Sequence, residues 1–281
     1  MTCFADSASS IHTPVIENEL IARNTMRLRF HAPSLAHSVV PGQFFMIRNP
    51  AGNDPLIGRA FALYDTANDG SGWIDVVYII KGRLTTSLAN LQPGAPLAVW
   101  GPLGNGFPPP QCEHLVLVAG GVGLTPFLAV AKEALGRQRF GHAAEPRRPR
   151  ANRVSLCYGV RSADCLAGVD QFRDVGVEVH VATDDGSLGP PRLVTDVLVD
   201  VLQNASEAAV LCCGPEPMMQ AVAEITLHRQ LPCHVSLETP MACGIGICFT
   251  CVAKVGRASD WDYKRTCVEG PVFEARDIVW H

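Results

Sequence analysis

Four cysteines constrain this chain more than any other feature. Cys243, Cys248 and Cys251 stand in the run Cys243-Gly-Ile-Gly-Ile-Cys248-Phe-Thr-Cys251, and Cys267 follows after fifteen intervening residues. C-x4-C-x2-C with one distant cysteine is the plant-type spacing for a [2Fe–2S] cluster. Gly244 and Gly246 suit a short loop that folds back over an inorganic core, because glycine reaches backbone angles closed to other residues. A disulfide pair or a zinc site is the competing reading, but zinc sites favour C-x2-C pairs, and a four-residue gap carrying two glycines fits that poorly. A cluster moves single electrons, so the spacing predicts a chain that handles electrons.

Composition bounds the rest. A chain of 281 residues, 47% hydrophobic, can bury a large core and is expected to form two or three domains. A net charge of −4 offers no basic field for nucleic acid. Eleven cysteines would suggest a disulfide scaffold in a short secreted chain; here the chain is long, the count is odd, and Met1 to Ser10 lacks a basic-then-apolar leader. No apolar stretch approaches the roughly 18 residues of a membrane span. A reducing cytoplasm is the expected location, with the other seven cysteines acting mostly as small buried hydrophobes.

The residue pattern divides the chain into three. Residues 1–110 carry short β-rich segments, Met26 to Phe30 and Ile74 to Ile80 among them, punctuated by Pro41-Gly42, Asn68-Asp-Gly70 and Pro93-Gly94; they predict an antiparallel β-barrel. Residues 111–235 alternate buried strands (Leu115 to Val118, Val154 to Tyr158, Val177 to Val181, Ala209 to Cys213) with helical patterns. That alternation predicts a doubly wound α/β domain with a parallel sheet. Gly141 to Arg150, rich in proline and arginine, reads as a solvated loop interrupting it. Residues 236–281 hold the cysteine run as a small C-terminal module.

Each part carries candidate chemistry. Gly120, Gly121, Gly123, Leu124 and Thr125 lie between a strand and a helix, where glycines admit a pyrophosphate to the backbone and a helix N-terminus supplies donors. In Thr183-Asp184-Asp185-Gly-Ser187, acidic side chains suit ribose hydroxyls and disfavour a 2′-phosphate; the plain alternative is a polar turn. Cys213-Gly214-Pro215 follows the last strand of the α/β pattern, at the edge where open sheets bind ligands, and Cys213 is the one candidate catalytic side chain. Together the three loops predict a nicotinamide nucleotide. In the barrel, Arg59 offers a planar fork to a flavin pyrophosphate and Phe61 an apolar surface to its rings, while the Lys81 to Thr85 turn supplies phosphate donors; an exposed arginine beside a strand is the plain reading. Lys264 and Arg265 precede the fourth cysteine, either positioning a cluster edge against a partner or solvating a loop.

The set resembles the ferredoxin–NADP reductase-like flavoproteins over nearly the whole chain, and within them the electron-transfer subunits of two-subunit, NAD-linked dihydroorotate dehydrogenases. The resemblance implies that an arginine-led strand, here Arg59, Ala60, Phe61 and Ala62, binds FAD. It further implies that Val77, Tyr78 and Ile79 border the flavin, and that a turn at Gly82, Leu84 and Thr85 holds its phosphates, with Gly101 to Phe107 closing the barrel. Gly120 to Pro126, Thr183 to Ser187 and Cys213 to Pro215 match the nucleotide site; Met241 to Cys251 and Tyr263 to Phe273 match the cluster module. Two positions depart from the family pattern: Ala62 stands where a serine usually bonds flavin N5, and Leu84 where the subfamily has glycine.

A two-electron to one-electron converter is what the resemblance implies, with FAD between NAD(H) and the [2Fe–2S] cluster held by Cys243, Cys248, Cys251 and Cys267. An FMN-containing dihydroorotate dehydrogenase catalytic subunit is the implied partner, in a heterotetramer. The rival in the same chemistry is a reductase subunit serving ferredoxin, a hydrogenase or a sulfur enzyme. From another class, the rival is a zinc-binding regulator that kept a nucleotide fold, which would lack visible absorption.

Overall fold

A computed structural model describes residues 8–67, 69–109, 111–141, 150–205, 207–257 and 259–280. The turn expected at Asn68 and most of the loop expected over 141–150 lie outside the described residues.

Six strands close the barrel: β1 (Ser9–Ala22), β2 (Thr25–His31), β3 (Phe44–Arg48), β4 (Arg59–Thr66), β5 (Trp73–Ile79) and β6 (Pro96–Leu103), in the order β1-β2-β5-β4-β3-β6. Two short helices, α1 (Pro33–Ser38) and α2 (Arg83–Ala89), connect them. Strand alternation builds the core. On β2, Met26, Leu28 and Phe30 point inward, while Arg27 and Arg29 pair with Glu17 and with the buried Asp75. Phe45, Ile47, Phe61, Leu63, Ile74, Val76 and Tyr78 complete the filling.

The second domain is a sheet of β7 (Cys112–Gly120), β8 (Ala151–Val160), β9 (Glu178–Thr183), β10 (Ala208–Cys213) and β11 (Cys233–Ser236), ordered β11-β10-β7-β8-β9 and parallel throughout. Helices α3 (Phe127–Ala134) and α4 (Val169–Asp174) share one core with Tyr64 and Val77 of the barrel, and α5 (Val194–Val201) and α6 (Glu216–His228) cover the other face. Polar contacts lock the domains together: Lys132 Nζ lies 2.6 Å from Asp65, Gln138 donates to Thr66 O at 3.0 Å, and Tyr64 donates to Gln171 at 2.5 Å.

The C-terminal segment departs from a free-standing module. Its hairpin, β12 (Val252–Arg257) and β13 (Asp260–Arg265), stands apart, but β14 (Val272–Glu274) adds an antiparallel edge to the large sheet beside β11. The sheet is therefore mixed where a wholly parallel one was expected. Asn105 pins the join, accepting from Val272 N–H and donating to Val272 O at 2.8 Å. Of the cysteines outside the quartet, Cys157, Cys212 and Cys233 are buried in the sheet core, while Cys112, Cys165 and Cys213 are half-buried; none of the described cysteines is in a disulfide.

Candidate functional site

The cysteine loop is shaped by two glycines. Gly244 has φ +73°, and a Cβ there would stand 2.7 Å from Met46 Cγ, so the loop presses its backbone onto the barrel. Gly246 has φ +82°, and its carbonyl accepts from Arg265 Nη1 at 3.1 Å. The backbone N–H of Ile245 points at Cys243 Sγ, 3.4 Å away. Trp100, on β6, donates its indole N–H to Cys243 O at 3.0 Å.

The four sulfurs fall into two pairs. Cys251 and Cys267 lie 3.2 Å apart, 1% and 0% exposed, packed with Phe44, Met46 and Leu103 of the barrel. Cys243 and Cys248 stand nearer solvent, Cys248 fully exposed. Hydrogen bonds from the Thr250 hydroxyl, the Thr250 N–H and Cys243 hold the Cys248 thiol down to about 6, the range of a ready thiolate ligand. Burial, then the neighbouring Cys251, pushes Cys267 up to about 12. Among the described residues no three His, Cys, Asp or Glu side chains converge on one metal ion. Two pairs of thiols, rather than one tetrahedron, are the donor set a two-iron cluster requires, and the residues fit that group.

On the barrel, strand phase sorts the residues expected to meet a flavin. Phe61 and Tyr78 point into the barrel core, 6% and 3% exposed, with rings 5.5 Å apart edge to face. The ring-facing role expected of Phe61 therefore does not match its orientation: alternation turns it inward with Leu63, and turns Ala60, Ala62, Val77 and Ile79 outward. Small alanines on that outer face leave room for a flat ring system. The Tyr78 hydroxyl is buried without a protein partner. Arg59 is exposed, its guanidinium resting on Ile57 O and Gly58 O. Gly82 starts α2 with φ +85° and open space where a Cβ would stand, a cradle that fits a phosphate. Thr85 Oγ1 accepts from Lys81 N–H at 2.6 Å and donates to Gly82 O, so it braces the turn. Leu84, one of the two departures from the expected pattern, is buried in the barrel core and anchors α2 there.

At the carboxyl edge of the large sheet two of the three loops expected to hold a nucleotide meet. The Gly120 to Thr125 segment leaves β7 as a 3₁₀ turn before α3. Gly121 has φ +56° and nothing within 4 Å of its absent Cβ, while a Cβ on Gly123 would lie 2.2 Å from Cys213 O. The loops after β7 and β10 thus touch backbone to backbone, with Gly214 against Gly120. Leu124 is buried and Thr125 nearly so; Pro215 is exposed ahead of α6. Cys213 keeps part of its surface accessible, but its thiol is enclosed. Burial first, and the nearby Glu238 second, push it up to about 12, opposed by a hydrogen bond with Ser236. At neutral pH it is a thiol, able to contact a ligand but not to act as nucleophile or base. Asp184 and Asp185 are exposed at the end of β9, two strands from β7. Asp185 is partly tied up: the Ser187 hydroxyl first, and then the Ser187 N–H that donates to its carboxylate at 2.9 Å, lower its pKa, and Asp184 N–H donates to Val160 O.

Three contributors escaped sequence reading. Trp100 and Met46 join the barrel to the cysteine loop and Asn105 joins it to Glu269 and Val272, and only proximity across more than a hundred residues reveals them. Arg265, by contrast, folds back onto Glu269, Gly246 O and the Phe249 ring, and Lys264 pairs with Asp262. Both brace the module's own loops.

Comparison with known proteins follows the same three-way division. Residues 238–279 match the iron–sulfur cluster binding domain of dihydroorotate dehydrogenase B, residues 117–224 an oxidoreductase NAD-binding domain and residues 12–107 an oxidoreductase FAD-binding domain. The dihydroorotate dehydrogenase B (NAD(+)) electron transfer subunit of Bacillus caldolyticus is 35% identical over 94% of this chain and 96% of its own length. That of Desulforamulus reducens is 32% identical over 93% and 95%. Among solved structures, an NADH-dependent reduced ferredoxin–NADP oxidoreductase superposes with a TM-score of 0.78 at 27% identity, covering 95% of this chain and 90% of that one.

Proposed function

The chain belongs to the family of NAD(+)-linked dihydroorotate dehydrogenase B electron transfer subunits, and from that premise we propose that it couples dihydroorotate oxidation on an FMN-containing partner subunit to NAD+ reduction. It is a flavin, iron–sulfur and NAD oxidoreductase subunit. When bound, FAD and the cluster supply two-electron and one-electron chemistry in one protein, the combination that joins a one-electron donor to a hydride acceptor.

The observation that carries this reading is the polarity of the cysteine site. Cys251 and Cys267 are sunk against β3 and β6 of the FAD-binding barrel, whereas Cys243 and Cys248 face outward. The buried pair keeps water from the inner side and the outer pair gives a partner access. The cysteine run exposes Ile245, Ile247 and Phe249, with Ile247 at 74% and Phe249 at 62%, and the β12–β13 hairpin exposes Trp261 and Tyr263. Exposed apolar side chains beside the outer cysteines suit a protein interface, and we assign that surface to the catalytic subunit in a cytoplasmic heterotetramer. Arg59, Gly82 and the outer face of Ala60 and Ala62 would hold FAD; Gly120 to Thr125 and Gly214 would receive the nucleotide pyrophosphate; Asp184 and Asp185 would meet the adenosine ribose. The domain limits 1–110, 111–235 and 236–281 are part of this proposal, with the β14 edge strand shared between the last two.

A second reading has support in the likeness to a ferredoxin–NADP oxidoreductase: a reductase subunit serving ferredoxin or a related one-electron partner. Assay of the chain alone separates function from scaffold. It is expected to oxidise NADH with artificial acceptors, to use NADPH at least tenfold less efficiently because carboxylates repel a 2′-phosphate, and not to oxidise dihydroorotate. Turnover of dihydroorotate by the isolated chain would contradict the division of labour.

A further inference from the structure

One ionisable side chain at the carboxyl edge of the large sheet has no ion pair among the described residues and no role in the scheme above. Glu238 lies two residues beyond Ser236, the end of β11, on the stretch leading to Cys243. Ser236 is the register partner of Cys213, so the two strand ends stand side by side, about 5 Å apart. The chain stays extended past β11, because Leu237 N–H donates to Pro271 O at 2.9 Å. Alternation then returns Glu238 to the face of Ser236. The side chain is exposed, and among the described residues no ion pair includes it. A carboxylate that forms no ion pair among the described residues therefore stands beside Cys213.

The consequence depends on the placement of the nucleotide at this edge, and on that reading it is specific to one chemical feature. The nicotinamide ring of NAD+ carries a positive charge; it loses that charge when a hydride adds to C4. We propose that Glu238 sets the preference of this site between the two redox forms, favouring the cationic oxidised ring over the neutral reduced one. Its influence on Cys213 has the same sign: a field that resists a negative sulfur favours a positive ring in the same place. A subunit that delivers electrons to NAD+ gains from this, since the acceptor is held and the neutral product is not. Ser236 and Cys213, both uncharged, contribute packing and hydrogen bonding at the same spot without opposing the effect.

The test uses the oxidised chain loaded with FAD and cluster, and three probes that do not react with it: NAD+, tetrahydro-NADH (a neutral nicotinamide analogue unable to donate hydride) and ADP-ribose, which lacks the nicotinamide. Titration calorimetry on wild type and Glu238→Gln reads the Kd of each. The proposal predicts that Glu238→Gln weakens NAD+ roughly tenfold, the size expected for one partly solvated charge pair, with the other two probes within twofold. Glu238→Asp should recover part of the loss. Equal weakening of all three probes would mean a merely structural residue, and no change in any would mean the carboxylate does not reach the ring; either result overturns the proposal. If wild type binds none of the three, the nucleotide placement itself fails, an outcome distinct from both.

Discussion

Single residues carry the strongest constraints, and two of them make direct predictions. Cys251 is buried on the barrel side of the quartet among apolar side chains, and on the proposed reading it is a cluster ligand. Cys251→Ser is expected to abolish the cluster, read as loss of iron and sulfide, while bound FAD remains reducible by NADH. Wild-type iron content would show that another group is the ligand. Gly123 is equally restricted for a different reason, because any Cβ there would overlap the Cys213 carbonyl. Gly123→Ala should push the β7 and β10 loops apart and reduce NADH-dependent flavin reduction by at least tenfold, at a stability cost of about 1–3 kcal/mol, with iron content unchanged. Unaltered NADH kinetics would place the nucleotide elsewhere. The cysteine spacing was legible because its meaning is local: three cysteines and two glycines within one short run, and a fourth cysteine after fifteen intervening residues. Trp100 and Asn105 were not, because their partners lie 143 and 167 residues away and nothing in an isolated tryptophan or asparagine names them.

At the scale of elements, the strands were legible but their phase was not. Arg59 to Leu63 reads as an alternating strand from its residues alone, yet which parity faces the core depends on strands elsewhere in the barrel; hence Phe61 and Tyr78 turn inward where contact with a flavin was expected. β14 spans only Val272–Glu274, too short to show a period, so the antiparallel edge of the sheet had no signal. The sheet itself contains a pH-sensitive element. His114, at the start of β7, is buried and hydrogen-bonded to Ser155 at 2.8 Å, and its pKa falls below the ordinary 6.5 chiefly through burial, then through Arg153, despite Glu178. His234 on β11 is lowered in the same way. A histidine lowered in the folded state takes up its proton first in the unfolded chain. Its contribution to stability is thus complete above about pH 6.5 and is lost as pH falls from there through the folded value. Melting temperature should decline over that window, and His114→Asn should flatten the decline. An identical slope in the variant would remove His114 as a cause.

For the whole molecule, the arrangement of three parts around shared contacts matters more than any one of them. The cysteine loop leans on the barrel through Met46, Leu103 and Trp100, and the barrel leans on the α/β domain through Asp65 and Lys132. Among the described residues, the C-terminal module exposes large apolar side chains at Ile245, Ile247 and Phe249 of the cysteine run and at Trp261 and Tyr263 of the hairpin. On the proposed function, the chain is half of a machine, with nucleotide chemistry inside it and the oxidation of the organic substrate outside it. The direct measurement is NAD+-dependent dihydroorotate oxidation, with the purified chain alone, with the FMN-containing dihydroorotate dehydrogenase subunit alone, and with the two mixed and passed over a sizing column. The account predicts negligible NAD+ reduction by either alone, and a stable complex that reduces NAD+ with dihydroorotate. A mixture that neither associates nor couples the two reactions would contradict it.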